Sequence, residues 1–105
     1  MKSENLPNIY SYGDYSTGNY GAHCMAVEIP RTSPKKHGLT IYYSYNTCVA
    51  FKGYVSDEKR GLFVMKNYWS NTTGKHLNQI DGGNKQNRLD EKEFTKLFKK
   101  ALKNA

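Results

Sequence analysis

The sequence lacks the features that define several large classes of protein. Its 105 residues contain two cysteines, Cys24 and Cys48, which are too few for a disulfide-stapled domain, so we expect free thiols in a reducing compartment. No apolar run approaches the length of a membrane-spanning helix. The opening segment MKSENLPN lacks the apolar centre of a signal peptide. We therefore expect a cytoplasmic protein that makes no membrane contact.

Patterns that bind metals or perform catalysis are also missing. The soft donor residues occur in neither CxxC nor HxxxH spacing; they are His23, Cys24, His37, Cys48 and His76. Either cysteine could pair with His76 as nucleophile and base, but both lie among apolar residues of predicted strands, where cysteine usually packs as a small hydrophobe. We expect no metal, no cofactor and no enzymatic activity. A small enzyme that uses His76 with Lys75 or a cysteine is the least favoured functional hypothesis.

Positive charge and tyrosine are in excess. Lys and Arg number 16 against 9 Asp and Glu, for a net charge of +7, and there are nine tyrosines. A basic balance favours polyanionic partners or acidic protein surfaces, and tyrosine suits exposed sheets and binding surfaces. Arginine, the better reader of bases, is scarce. Any binding of nucleic acid should therefore rest on phosphate contacts more than on sequence readout.

Alternating apolar and polar residues predict four or five strands in the first two thirds of the chain. Residues 1–8 are interpreted as a loose lead-in, 16–19 as the turn of a first hairpin and 54–60 as a polar connection. Asn46 and Thr47 should form a tight turn, because Asn tolerates left-handed backbone angles, and Val49 and Phe51 should share one side of their strand. The predicted strands cover residues 9–15, 20–29, 39–45, 48–52 and 62–66.

Two helices are predicted after Trp69, which we expect to lie in the core. Ser70 can cap a short helix over residues 71–80, and Asp90 with Glu93 forms a capping box at the start of a helix that extends to residue 104. Apolar residues of the second helix recur at i, i+3, i+4, i+7 and i+8 from Phe94. The sequence thus predicts one α+β domain over residues 1–105, with a small, mostly antiparallel sheet of four to five strands, a short helix and a C-terminal amphipathic helix packed on one face.

Two basic segments are candidates for binding. A stripe of lysines lies opposite the apolar face of the last helix and could follow a nucleic-acid backbone, although a solvated helix face is the alternative. The segment 72–76 offers hydroxyls, a glycine and a cation at a helix start, where anion binding is favoured. It lacks the spacing of a Walker loop, and a simple helix cap is the favoured interpretation. The predicted binding residues are Lys75, His76, Arg88, Lys92, Lys96, Lys99 and Lys103.

Two motifs resemble those of a family of short proteins from bacteriophages and mobile elements. SYNTCVAF at residues 44–51 is similar to that family's SYxTxVAF strand pair, and NYWSNTTGKHLN at 67–78 is similar to its NxWSxTTGKHL segment. The likeness covers most of residues 9–102. The family is largely of unknown function, so the resemblance implies no catalytic residue; it implies a phage or prophage accessory role inside a bacterial host.

Two functional hypotheses follow. By analogy with other small phage proteins, the leading one is an anti-CRISPR or other anti-defence inhibitor that binds a CRISPR effector or its guide RNA without catalysis. The alternative is a small basic phage protein that binds nucleic acid directly. A tyrosine-rich edge strand could also mediate a homodimer.

Overall fold

A computed structural model describes residues 6–13 and 23–105. They form a five-stranded sheet in which the strands follow one another in chain order, and every neighbouring pair is antiparallel. The strands are β1 (Asn8–Ser11), β2 (Cys24–Ile29), β3 (Leu39–Ser44), β4 (Thr47–Ser56) and β5 (Lys59–Val64). The α+β prediction is confirmed.

Two α-helices follow the sheet: α1 spans Asn71–Asp81 and α2 spans Glu91–Asn104, with a short 3-10 turn at Lys85–Asn87 between them. Both predicted caps are confirmed. The Ser70 side chain accepts from the backbone N–H of Thr73 at the start of α1, and the Asp90 carboxylate accepts from the N–H of Glu93 at the start of α2. Each cap satisfies a helix N–H that has no partner within the helix.

The sheet separates two apolar clusters, because alternate residues of a strand point to opposite faces. The first cluster lies under α2 and is built around Phe51, with Phe94 and Ala101 contributed by the helix. The second lies under α1 and contains Ala50, Val64 and Leu77; its other members are Val49, Tyr42 and Ile80. The C-terminal helix therefore covers one face, as predicted, and α1 covers the other.

The strand boundaries around β4 differ from the prediction. The segment 54–60 is not a connection, since β4 continues to Ser56 and a two-residue turn leads directly into β5. The register also shifts between Tyr42 and Tyr43, where β4 carries an extra residue. This irregularity turns Val49 toward α1 while Phe51 faces α2, so the two do not share a side. A bulge of this kind breaks the period of two on which the prediction depended.

The turn between β3 and β4 places its left-handed residue one position earlier than predicted. Tyr45, not Asn46, has a positive φ of 56°. Its backbone N–H donates to the carbonyl of His23 at 2.8 Å, a bond that holds the turn against the start of β2. The predicted turn at 16–19 and residues 20–22 of the predicted second strand lie outside the described residues, as do residues 1–5 of the lead-in.

Candidate functional site: a cationic cleft beside the first helix

The segment that leads into α1 is held by the side chain of Asn67. Its Oδ1 accepts from the backbone N–H of Trp69 at 2.9 Å, and its Nδ2 donates to the carbonyl of Ser70 at 3.1 Å. A Cβ added at Gly74 would lie 3.0 Å from the same Nδ2. The absence of a side chain at Gly74 therefore allows the Asn67 side chain to lie against the first turn of α1.

The inner face of α1 is buried against β3 by a polar contact. Ser44 Oγ donates to Thr73 Oγ1 at 3.0 Å and lies 2.7 Å from Nδ1 of His76, and all three side chains are buried. Burial, with the nearby His23 as a second cause, lowers the pKa of His76. Because His76 is wholly buried, it does not fit the predicted role as a partner-binding residue. It joins the helix to the sheet instead.

The outer face of α1 borders a cleft of about 420 Å³. Asn71, Gly74, Lys75 and Asn78 recur at i, i+3, i+4 and i+7, the spacing of one helix face. The rest of the lining comes from the segment after β5 and from the 3-10 turn with its C-cap, so three parts of the chain converge there. We call this the cationic cleft; its lining residues are Lys66, Asn67, Asn71, Gly74, Lys75, Asn78, Lys85 and Arg88.

Arg88 lies at the bottom of the cleft in a buried ion pair. Its Nε donates to Asp81 Oδ2 at 2.8 Å and its Nη2 to Asp81 Oδ1 at 2.9 Å, and the two side chains are 4% and 9% exposed. Burial by itself raises the pKa of Asp81, but hydrogen bonds from Arg88 and the backbone of Gly83, together with the Arg88 charge, lower it overall. Arg88 was predicted as a partner contact, but its charge is already matched within the protein.

Arg88 also orients an amide of the cleft. Its Nη2 donates to Oδ1 of Asn78 at 3.0 Å, which leaves Nδ2 of Asn78 as the donor group of that side chain. The exposed cations of the cleft are Lys66, Lys75 and Lys85. Among the described residues that line the cleft, none is acidic. Ammonium and amide donors are suited to binding an anion such as phosphate.

The lysine stripe lies on a different surface. Lys92, Lys96, Lys99 and Lys103 are all exposed on α2, which covers the opposite face of the sheet from α1. None of them lines the cationic cleft. The predicted binding set is thus divided into Lys75 in the cleft, four lysines on α2, and the two buried residues His76 and Arg88.

Three large aromatic side chains are exposed beside the start of α1. Tyr45, Tyr68 and Trp69 are 48%, 55% and 41% exposed; we call them the aromatic patch. Trp69 is therefore not the core residue that the sequence predicted. The rings of Tyr68 and Trp69 lie edge to face at 5.9 Å, and Tyr45 stacks on His23 at 4.5 Å. Tyr45 and Trp69 line one hollow of about 230 Å³.

Cys48 is not placed to form the hypothesised thiol–imidazole pair with His76. Both cysteines are free thiols. Burial raises the pKa of Cys48 to about 11, against a smaller lowering by a backbone hydrogen bond with Ala50, so a neutral thiol is favoured. Cys48 packs with the cluster under α2, across the sheet from His76. In the part of the chain that the structure describes, no three His, Cys, Asp or Glu residues are grouped to hold a metal ion.

No helix within residues 6–13 and 23–105 is long and apolar enough to cross a membrane.

Sequence reasoning missed Lys66, Lys85 and the three asparagines of the cleft. The asparagines Asn71 and Asn78 and the cation Lys75 fall at helical spacing, so the pattern of a polar helix face was present in the sequence. The other cations could not be assigned, because Lys66 and Lys85 are brought to α1 only by the segment after β5 and the 3-10 turn.

The family comparison finds a match to residues 7–96, with the description "Family of unknown function (DUF8033)". Neither the curated proteins nor the solved structures contain a match.

Proposed function

Because the chain belongs to the DUF8033 family, whose description assigns no activity, we propose from its geometry that the protein binds a nucleic-acid backbone in the cationic cleft. The observation that supports this proposal is the convergence of Lys66, Lys75 and Lys85 on one cleft whose described lining contains no carboxylate. Positive charge in a concave site concentrates anions. Phosphate contacts of lysine are the main source of affinity in non-specific nucleic-acid binding.

The neighbouring asparagines support the same ligand. Asn71 and Asn78 line the cleft on the same helix face as Lys75, and Asn side chains commonly donate to phosphate and sugar oxygens. Arg88 contributes by holding Asn78 at 3.0 Å, not by contacting the ligand. The protein acts by binding, and no catalytic step is proposed.

Charge reversal tests the cleft against the lysine stripe. The triple variant Lys66→Glu/Lys75→Glu/Lys85→Glu should lose binding to a labelled oligonucleotide in fluorescence anisotropy. Removing three phosphate contacts should also reduce the slope of log affinity against log salt by about 2 for a single strand.

The matched control is Lys96→Glu/Lys99→Glu/Lys103→Glu, which has the same net charge but alters only α2. It should keep most of the affinity at physiological salt, where screening limits the action of distant charges. If the α2 variant lost binding and the cleft variant kept it, the stripe would be the binding surface and the proposal would be wrong. Circular dichroism should show the same fold for both.

A biological role is proposed from the resemblance of the 44–51 and 67–78 motifs to phage proteins. In this role the protein is an anti-defence inhibitor that binds the guide RNA of a CRISPR effector in the bacterial cytoplasm. The test is phage plating on bacteria whose CRISPR system targets that phage. The wild-type protein should restore plating and the cleft triple variant should not. If the wild-type protein failed to restore plating, this role would be refuted. If both proteins restored plating equally, the cleft would not be the site of inhibition.

A further inference from the structure

We propose that the aromatic patch makes the cationic cleft selective for single-stranded nucleic acid, with unpaired bases stacked on Trp69 and Tyr68 while the phosphates contact the cleft lysines. This inference rests on the nucleic-acid binding proposed above. It concerns the form of the ligand, which the cations alone do not determine.

The aromatic patch adjoins the cleft along the chain. Asn67 and Asn71 line the cleft, and the residues between them include Tyr68 and Trp69. On the other side of Trp69 is the hollow that it shares with Tyr45. A strand that lies in the cleft and passes over the start of α1 therefore meets these rings next.

The rings are exposed but held in place. Tyr68 and Trp69 are 55% and 41% exposed, although tryptophan is highly buried on average. The backbone beneath them is fixed by two hydrogen bonds from Asn67, of 2.9 and 3.1 Å. An ordered aromatic surface loses little conformational freedom when a ligand binds.

Tyr45 extends this surface at the cost of a strained backbone. Its φ of 56° lies in the left-handed region that residues other than glycine rarely adopt. The turn nonetheless carries a tyrosine, whose ring is 48% exposed and stacks on His23. Strained residues of this kind are often retained at binding sites.

Charge at the start of α2 limits where phosphates can lie. The backbone N–H of Glu91 donates to Oη of Tyr68 at 3.3 Å, so the first turn of α2 borders the patch. That turn carries two carboxylates, Glu91 and Glu93, and one cation, Lys92. Carboxylates there repel a phosphate backbone, whereas the cleft lysines attract it. The backbone is therefore confined to the cleft side, and the bases project toward the rings.

A duplex cannot use such a surface in the same way. Its bases already stack on one another, so only a terminal base face is free, whereas every unpaired base has a free π-face. Selectivity for single strands follows from stacking, and the phosphate contacts are common to both forms.

Trp69 provides the readout, because it is the one tryptophan in the chain. Its fluorescence is followed while the protein is titrated with three probes. The first is an oligouridylate of about ten nucleotides, a length within the usual range of single-strand sites. The others are the duplex of this strand with oligoadenylate, and inorganic polyphosphate. We expect the single strand to quench Trp69. The duplex and polyphosphate should bind more weakly and leave the fluorescence unchanged.

Variants then separate stacking from charge. Trp69→Ala should weaken binding of the single strand, measured by anisotropy of a labelled oligouridylate, by about tenfold, and leave polyphosphate binding unchanged. Trp69→Phe, which keeps a ring, should lose less. Tyr10→Ala removes an aromatic side chain that is 37% exposed on β1 and should change neither affinity.

The outcomes distinguish the two proposals. If the single strand and polyphosphate bind equally well without quenching and Trp69→Ala has no effect, stacking is refuted while the cleft remains a polyanion site. If the duplex binds as tightly as the single strand and quenches equally, the selectivity is refuted. If none of the probes binds and a protein is the sole ligand, both proposals fail.

Discussion

Replacing Arg88 should destabilise the protein strongly without removing a ligand contact. The side chains of Arg88 and Asp81 are 4% and 9% exposed, and Arg88 makes two hydrogen bonds to the Asp81 carboxylate and one to Asn78. Arg88→Ala leaves Asp81 as a buried carboxylate without its cation. Breaking a buried pair from one side typically costs about 3–5 kcal/mol. For a domain of this size the melting temperature should fall by about 15 °C or more.

A double-mutant cycle isolates the interaction. Asp81→Ala should also be destabilising, because it leaves a buried guanidinium unpaired. The double variant Asp81→Ala/Arg88→Ala should be more stable than the sum of the single losses predicts, since no charge is then left buried without a partner. Arg88→Lys should be less stable than the wild type, because an ammonium cannot reproduce the bidentate hydrogen bonding of a guanidinium to a carboxylate. Urea unfolding followed by far-UV circular dichroism gives all four free energies.

The same pair predicts a pH dependence. The pKa of Asp81 in the folded chain is below its ordinary value of 3.8, so the unfolded chain binds that proton more readily. Its contribution to stability is therefore complete above pH 3.8 and is lost as the pH falls through the lower folded pKa. Arg88→Ala should reduce this acid sensitivity. A loss below about 1 kcal/mol for Arg88→Ala, typical of an exposed ion pair, would refute the reasoning.

Three further predictions concern His76, Gly74 and Cys48. Burial lowers the pKa of His76 below its ordinary value of 6.5, so stability should fall as the pH drops from 6.5 toward that lower pKa; the urea midpoint should show this, and an equal fall in His76→Gln would contradict it. Gly74→Ala should raise the free energy of unfolding of the Asn67→Ala variant by about 1 kcal/mol, the usual preference of a helix for Ala over Gly. The increase should be smaller in the wild type, where the new Cβ would lie 3.0 Å from the Asn67 side chain. Equal increases in both backgrounds would argue against this contact. The pKa of Cys48 is raised to about 11, so only about one thiol in a thousand is ionised at pH 8 in the folded protein. Cys48 should therefore react with a disulfide reagent far more slowly in the folded protein than in urea. Equal rates would show that the thiol is accessible and activated.

Local patterns in the sequence were sufficient to predict the α+β fold. The caps at Ser70 and Asp90 and the apolar spacing from Phe94 depend on residues within one or two turns of each other, and the structure confirms them. The position of Val49 could not be predicted in this way. A bulge changes the side to which a residue points, and it is defined by pairing with a separate strand.

The cleft illustrates the same limit. Lys75 could be recognised as a candidate because it stands in a motif at a helix start. Arg88 could not be distinguished from the other cations, since its partner Asp81 is seven residues away and only the chain reversal at Gly82 and Gly83, both with positive φ, brings them together. Trp69 was assigned to the core because tryptophan is usually mostly buried, and its exposure depends on the side-chain hydrogen bonds of Asn67.

The presence of cations on both sides of the sheet makes the protein two-sided. Lys103 lies in the last turn of α2, whose 14 residues extend about 21 Å at 1.5 Å per residue, while the cleft lies beyond the helix's other end, at Arg88. At physiological salt, charges interact over about 8 Å, so the Lys103 end of the stripe acts independently of the cleft. A long polyanion held in the cleft leaves the stripe on α2 accessible to a second chain. The protein would then cross-link nucleic acid into a network, and its mixtures with long RNA should become turbid near charge balance and clear again when either component is in excess.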